Sequence, residues 1–325
     1  MSPDPKGTMP STFASLADRA LETTIVGSFT RLGPAVRRRL FDWDEPARMD
    51  GQRVLLTGGT SGIGRAAAAQ LASLGAEVTI TSRSRERADA AADELASAVG
   101  GDVRGEVVDT GDLDTVLDLA RRTADRGPLD VVIHNAGALT DERRENAQGM
   151  ELTLASHLIG PYLLTRELRS SLRSGARVVW MASGGMYSQG LDVDRLEMGD
   201  DYRGAVAYAR AKRAQVELVA LLGPAWAPAV SMYAMHPGWV DTPGVDQGLP
   251  GFGRVMGPLL RSPESGADTL VWLASGASQL EPGSFVLDRR SRGTTYLPGT
   301  GTDDTERKRL LEWLELHTLP ALAGS

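Results

Sequence analysis

The 325-residue chain has no cysteine, few histidines and no excess of basic charge, and each shortage removes a class of function. Without a thiol there is no disulfide, no thiolate metal site and no cysteine nucleophile. The four histidines, His134, His157, His236 and His317, lack metal-ligand spacing, so no metal is expected. Lys and Arg number 35 against 42 Asp and Glu, a formal net charge of -7, which argues against nucleic acid as a partner. No apolar run approaches the ~20 residues of a membrane span. A basic stretch leading into a long apolar core, the mark of a secretion signal, is also missing. The chain is therefore expected to be cytoplasmic, or at most membrane-peripheral.

What is present points to a nucleotide. The apolar run Arg53-Val54-Leu55-Leu56 reads as a buried strand, and Arg65-Ala66-Ala67-Ala68-Ala69-Gln70-Leu71 as a helix. Between them lies Thr57-Gly58-Gly59-Thr60-Ser61-Gly62-Ile63-Gly64. Strand, glycine turn and helix together present backbone N–H groups and a positive dipole end to a phosphate. Glycine is required where backbone and pyrophosphate approach closely. The spacing Gly-x-x-x-Gly-x-Gly differs from the commoner Gly-x-Gly-x-x-Gly fingerprint.

From Gly51 onward, strand-like and helix-like segments alternate, which implies a doubly wound parallel sheet of Rossmann type, α/β in class. Strands are expected near 53–57, 77–81, 104–108, 130–134, 177–182, 230–235 and 284–287. Helices are expected near 62–74, 84–98, 112–126, 148–173, 204–222, 263–275 and 303–317. Residues 50–325 read as a single domain and 1–49 as an extension, disordered over its first eleven residues and helical from Thr12 to Leu40. Two readings of that helical part stay open: a helix packed on the main domain, or an amphipathic helix on an anionic membrane, with Arg37, Arg38 and Arg39 near the head groups. The C-terminal helix, with Leu310, Trp313, Leu314 and His317 on one face, reads as packing on the domain or on a second subunit of a homo-oligomer.

The second strand ends at Ser82-Arg83 and carries no carboxylate there. An acidic residue at that place would hold the ribose hydroxyls of NAD(H). Arg83 can instead grip a 2′-phosphate and Ser82 can donate to it, so NADP(H) is preferred over NAD(H). Further on, Tyr208 and Lys212 share a helix face four residues apart. A nearby ammonium is expected to lower the Tyr208 pKa from near 10 and make it a usable acid and base. Ser183, ending the strand Arg177-Val178-Val179-Trp180-Met181-Ala182, could hydrogen-bond and polarise a substrate oxygen.

Thr57-Gly58-x-x-x-Gly62-Ile63-Gly64, Asn135-Ala136-Gly137, Ser183, Tyr208-x-x-x-Lys212 and Pro237-Gly238-x-Val240-x-Thr242 occur in the order and separation of the short-chain dehydrogenase/reductase (SDR) superfamily, which the chain resembles over roughly residues 50–290. Ser183-Gly184-Gly185-Met186, the run His236 to Val245, Gly266-Ala267-Asp268-Thr269 and the extension resemble the branch typified by dehydrogenase/reductase SDR family member twelve. The resemblance implies an NAD(P)-dependent oxidoreductase for a small-molecule carbonyl/alcohol pair. Tyr208 would exchange a proton with the substrate oxygen, Lys212 would bind the nicotinamide ribose, and Ser183 would position the carbonyl. Gly58, Thr60, Ser61, Gly62, Ile63 and Gly64 would cradle the phosphates. Asp109 and Thr110 would border the adenine, and Asn135, Ala136 and Gly137 the adenosine. Pro237, Gly238, Val240 and Thr242 would flank the nicotinamide.

His157 stands where such enzymes carry an Asn that anchors a proton-relaying water. Imidazole could serve in its place, or be a buried histidine with no catalytic part. That departure keeps open a second reading, a catalytically slack relative that binds NADP(H) as sensor or scaffold. The acidic stretch Gly184–Ala207 is expected over or beside the site. The segment Pro243–Arg261 is expected to form a lid which, with Met186, Tyr187 and Trp239, suits a hydrophobic substrate.

Overall fold

Each central strand alternates side chains that are buried on both sides, the signature of a sheet covered on two faces. Leu55, Val132, Val178, Trp180, Met232 and Ala234 enter one core, and Val54, Leu56, Val131, Ile133, Val179, Met181, Tyr233 and Met235 the other. The computed structural model describes residues 12–137, 140–241 and 257–323.

The strands are β1 (Arg53–Leu56), β2 (Glu77–Ser82), β3 (Val103–Val107), β4 (Leu129–His134), β5 (Leu172–Met181), β6 (Val230–Met235), β7 (Phe285–Leu287) and β8 (Arg290–Ser291). They form one sheet in the order β3-β2-β1-β4-β5-β6-β7-β8, parallel except for the final β7–β8 pair. The order turns back after β3, so β1 lies beside both β2 and β4. In such sheets ligands lie off the carboxyl ends of the strands at that reversal.

Helices α4 (Gly62–Ser73), α5 (Arg85–Val99) and α6 (Leu113–Asp125) cross between the first four strands. Next comes a helix in three parts: α7 (Leu152–Leu154), a π-helical turn (Ala155–Ile159) and α8 (Gly160–Leu168). The long α9 (Gly204–Trp226) precedes β6, α10 (Pro263–Ala274) precedes β7, and α11 (Asp304–Ala323) closes the chain. Leu310 and Leu314 of α11 are fully buried in the first core, and Trp313 stacks on His317 at 3.7 Å.

Residues 12–40 form three short helices rather than one: α1 (Thr12–Glu22), α2 (Ile25–Phe29) and α3 (Leu32–Leu40). The hydroxyls of Thr23 and Thr24 bond back to Ala20 O and Leu21 O, both at 2.8 Å. That local bonding competes with continued helix and lets the chain fold on itself. The three helices pack on the main domain through buried ion pairs. Arg37 reaches Asp18 at 2.7 Å and Asp288 at 2.6 Å, and Arg292 reaches Asp18 at 2.8 Å. The acidic stretch before α9 starts at the Ser183 turn, with Gly185 beside Tyr208, and then enters the core. Leu191, Val193, Leu196 and Met198 are buried, and Asp194 pairs with Arg309 of α11 at 2.7 Å. This stretch is a packed wall between α9 and α11. Of the expected lid, residues 243–256 lie outside the described residues.

Candidate active site

Six strand ends supply the site. After β1 the turn is built so that only glycine fits. Gly58 has φ +72°, and a Cβ at Gly64 would come within 2.2 Å of Gly58 O and 2.5 Å of Asn135 Nδ2. Asn135 fixes the turn from β4: its Nδ2 donates to Thr57 O at 3.1 Å and Gly58 O at 2.9 Å. Thr57 Oγ1 in turn accepts the N–H groups of Asn135 and Ala136, both at 3.1 Å. Thr81 Oγ1 accepts the Gly58 N–H at 3.2 Å. Thr57 and Thr81 thus hold the cradle, a role the motif alone does not reveal because their partners lie on neighbouring strands.

Ser61 precedes α4 without capping it by its side chain. The first N–H groups of that helix therefore open toward the cradle, beside Thr60, Gly62 and Ile63. At the end of β2, Ser82 Oγ accepts the Ser84 N–H at 3.3 Å. Arg83 is exposed and has no carboxylate partner among the described residues. A glycine cradle and open helix N–H groups fit the pyrophosphate of a dinucleotide.

Asp109 Oδ1 accepts the Gly111 N–H at 2.9 Å and shapes the turn after β3. Thr110 is buried, and its carbonyl lies against Gly160, where a Cβ would stand 1.9 Å away. Pro237, Gly238 and Val240 form a strap after β6, pinned by Trp239 N–H to Phe29 O and Arg261 N–H to Trp239 O, both 2.7 Å. Thr242 lies outside the described residues.

Ser183, Tyr208, Lys212 and His157 do converge. The Ser183 hydroxyl stands near enough to the Tyr208 phenol to favour its ionised form. A Cβ on Gly185 would stand 3.8 Å from both Ser183 Oγ and the Tyr208 ring, so the turn lies over both. Lys212 Nζ donates to Met181 O at 2.6 Å and stands 5.5 Å from the Tyr208 ring centre. The His157 ring meets that of Tyr208 edge-on at 5.1 Å. It also lies against Gly137, where a Cβ would fall 2.0 Å from its Cε1. The π turn that carries His157 is pinned by Gln215 of α9, whose Nε2 donates to the His157 carbonyl.

The electrostatics differ from the expected ammonium-lowered phenol. Burial pushes the Tyr208 pKa up, and the neighbouring Ser183 hydroxyl only partly opposes it. Lys212, wholly buried, is pushed down to about 7 by desolvation. His134 and His236 are likewise driven down to about 3 by burial and are neutral. Around the Ser183 turn, Met186 is fully buried in the core and is no wall of the site. Tyr187 stacks on Phe29 at 6.3 Å and meets Tyr296 at 4.7 Å. Phe29 comes from the N-terminal extension, a contribution that no motif announces.

Comparison with known proteins agrees with this layout. The model of the short chain dehydrogenase family matches residues 52–248. Human dehydrogenase/reductase SDR family member 12 is 34% identical over 282 residues, covering 84% of this chain and 88% of its own. A Streptomyces protein named as a candidate daunorubicin C-13 ketoreductase, DnrU, is 37% identical over 253 residues, 74% of this chain and 85% of its own. Among solved structures, a candidate NAD(P)-dependent gluconate 5-dehydrogenase from Beutenbergia cavernae, with NADP bound at low occupancy, is 27% identical with a TM-score of 0.61. That likeness covers 74% of this chain and 96% of the solved one.

Proposed function

The chain belongs to the short-chain dehydrogenase/reductase family, and from that premise we propose that it reduces the carbonyl of a hydrophobic substrate to an alcohol with NADP(H). NAD(P)-dependent oxidoreduction is the activity of the family. The narrower reading is carried by one observation, the meeting of Ser183, Tyr208 and Lys212 at the ends of β5 and α9. When bound, the nicotinamide cofactor supplies the hydride that reaches the carbonyl carbon.

The chain's own residues do the rest. Ser183 holds the substrate oxygen beside the Tyr208 hydroxyl. Tyr208, kept protonated at neutral pH by burial, gives its proton to that oxygen as charge develops there. Lys212 titrates near neutrality and can return a proton toward Tyr208. His157, packed between Gly137 and Tyr208, is the relay residue on the far side, and Asn135 keeps the turn beside it in shape. Gly58, Thr60, Ser61, Gly62, Ile63 and Gly64 would hold the pyrophosphate, Ser82 and Arg83 the 2′-phosphate, and Asp109, Thr110, Asn135 and Ala136 the adenosine end. Pro237, Gly238, Val240 and Thr242 would flank the nicotinamide. Arg83, exposed and without a carboxylate partner among the described residues, supports NADP(H) over NAD(H). Tyr187, Tyr296 and Trp239 near the Ser183 turn support a hydrophobic substrate.

The extension supports a second contact, with an anionic membrane surface. Phe13, Leu16, Val26 and Leu32 are four of the eight exposed large apolar side chains among the described residues. Arg19, Arg31 and Arg39 beside them are exposed without carboxylate partners among the described residues.

The test of the main reading is NADPH oxidation with a panel of lipophilic ketones and aldehydes. The wild type is expected to turn over at least one, and to prefer NADPH to NADH. Arg83→Asp is expected to weaken NADPH at least about tenfold, a loss of ~1.4 kcal/mol, with little effect on NADH. Equal losses for both cofactors would refute the 2′-phosphate assignment. NADPH binding without any turnover would favour the sensor or scaffold reading.

A further inference from the structure

Phe29 is the last residue of α2 and is 8% exposed. Its ring meets the His236 ring edge-on at 4.5 Å and the Trp239 ring at 5.8 Å. A Cβ on Gly184, the residue after Ser183, would come within 3.0 Å of Phe29 Cε2, so the ring lies directly against that turn. The Phe29 carbonyl accepts the Trp239 N–H at 2.7 Å and Arg261 Nε at 3.0 Å. One residue of the extension therefore touches both the Ser183 turn and the strap after β6.

Arg261 works from the other side of that strap. Its backbone donates to Trp239 O at 2.7 Å and accepts from Asp241 N–H at 2.9 Å, a short parallel bridge. Gly238, at φ +81°, packs on the guanidinium so closely that a Cβ would stand 2.1 Å from Nε. The guanidinium also donates to Asp288 Oδ1 at 2.6 Å and to Ser28 O at 2.7 Å. Asp288 accepts Arg37 Nη1 at 2.6 Å, and Arg37 Nη2 donates to Ser28 Oγ at 2.9 Å. Arg37, Arg261 and Asp288 are all at most 2% exposed. Buried charges are costly unless every partner is in place, so this cluster holds one geometry and resists others.

We propose that the N-terminal extension is a working part of the active site, with Phe29 and Arg261 as positioning residues. They set where the Ser183 turn and the Pro237–Asp241 strap stand, and so fix the nicotinamide end of the cofactor against the substrate oxygen. The inference rests on the NADP(H) reading above. Misplacement by ~1 Å at such a site can cost ~100-fold in rate. The adenosine end is formed by the turns after β1 to β4, away from Phe29 and Arg261 in the chain's layout.

Two probes separate the ends: NADPH, and adenosine 2′,5′-bisphosphate, which fills only the adenosine side. Their affinities are measured calorimetrically on the full chain for wild type, Phe29→Ala and Phe29→Leu. Phe29→Ala is expected to weaken NADPH by about tenfold and leave the bisphosphate within about twofold. Phe29→Leu keeps most of the apolar volume, so it shows the same split at smaller size and carries the test should the alanine variant not fold. Parallel loss of both probes would make Phe29 a fold residue only and overturn the inference, as would no loss of either. A wild type that binds neither probe would overturn the cofactor reading and this inference with it.

Discussion

At the scale of single residues, the spacing of Tyr208 and Lys212 is legible in the sequence because it obeys helix geometry. Their protonation is not legible, because it is set by burial against residues far away in the chain. Lys212 meets the carbonyl of Met181, thirty-one positions earlier. Desolvation brings its pKa to about 7, and burial raises that of Tyr208. A phenol held protonated suits proton donation, and an amine near 7 suits proton return. Carbonyl reduction is expected to fall as pH rises through about 7, when Lys212 loses its charge. Between about 7 and the ordinary 10.5 the unfolded chain binds a proton there that the folded chain does not. Stability at this residue therefore rises with pH across that window. Lys212→Met is expected to abolish turnover yet melt about 2 °C or more above wild type at pH 7. Differential scanning calorimetry and a pH–rate profile check both, and a lower melting temperature with a flat profile would contradict them.

At the scale of elements, the parallel strands and their crossover helices stand within a few residues of where periodicity puts them. The misses have local causes. The first turn-rich stretch reads as one helix because its apolar spacing is continuous, whereas Thr23 and Thr24 break it by bonding back to the preceding turn. The strand β8 has only two residues, reached through Asp288 and Arg289 at positive φ, and no alternation can form over so short a run. His157 is recognisable as a departure in the sequence. The π turn that aims it is not, since that turn depends on Gln215 from α9. The acidic stretch before α9 reads as a loop by composition, but Leu191, Val193 and Leu196 join the core that α11 also enters.

At the scale of the whole molecule, the sheet order brings the motif residues to one edge, and that convergence was readable from strand ends alone. The share of the site taken by the extension was not, because Phe29 contributes through packing rather than through a motif. No described helix is long and apolar enough to cross a membrane. The outer face of the extension nevertheless carries apolar side chains and arginines, while Asp18 and Glu22 are turned inward onto Arg292. Amphipathic surfaces of this kind bind anionic head groups. The protein is expected to sediment with vesicles containing phosphatidylserine, less so as salt rises, and not with pure phosphatidylcholine. Phe13→Ser with Arg19→Glu is expected to abolish sedimentation while leaving turnover of a water-soluble carbonyl intact. Equal sedimentation with neutral vesicles, or none with either, would contradict this surface.

Tyr208→Phe tests the central claim most directly, because it removes one hydroxyl and keeps the ring against His157. NADPH-dependent carbonyl reduction and NADPH affinity are measured side by side on wild type and variant. Loss of the proton donor is expected to lower kcat by ~100-fold or more while NADPH affinity stays within about twofold. A variant that reduces the carbonyl at the wild-type rate would contradict the account.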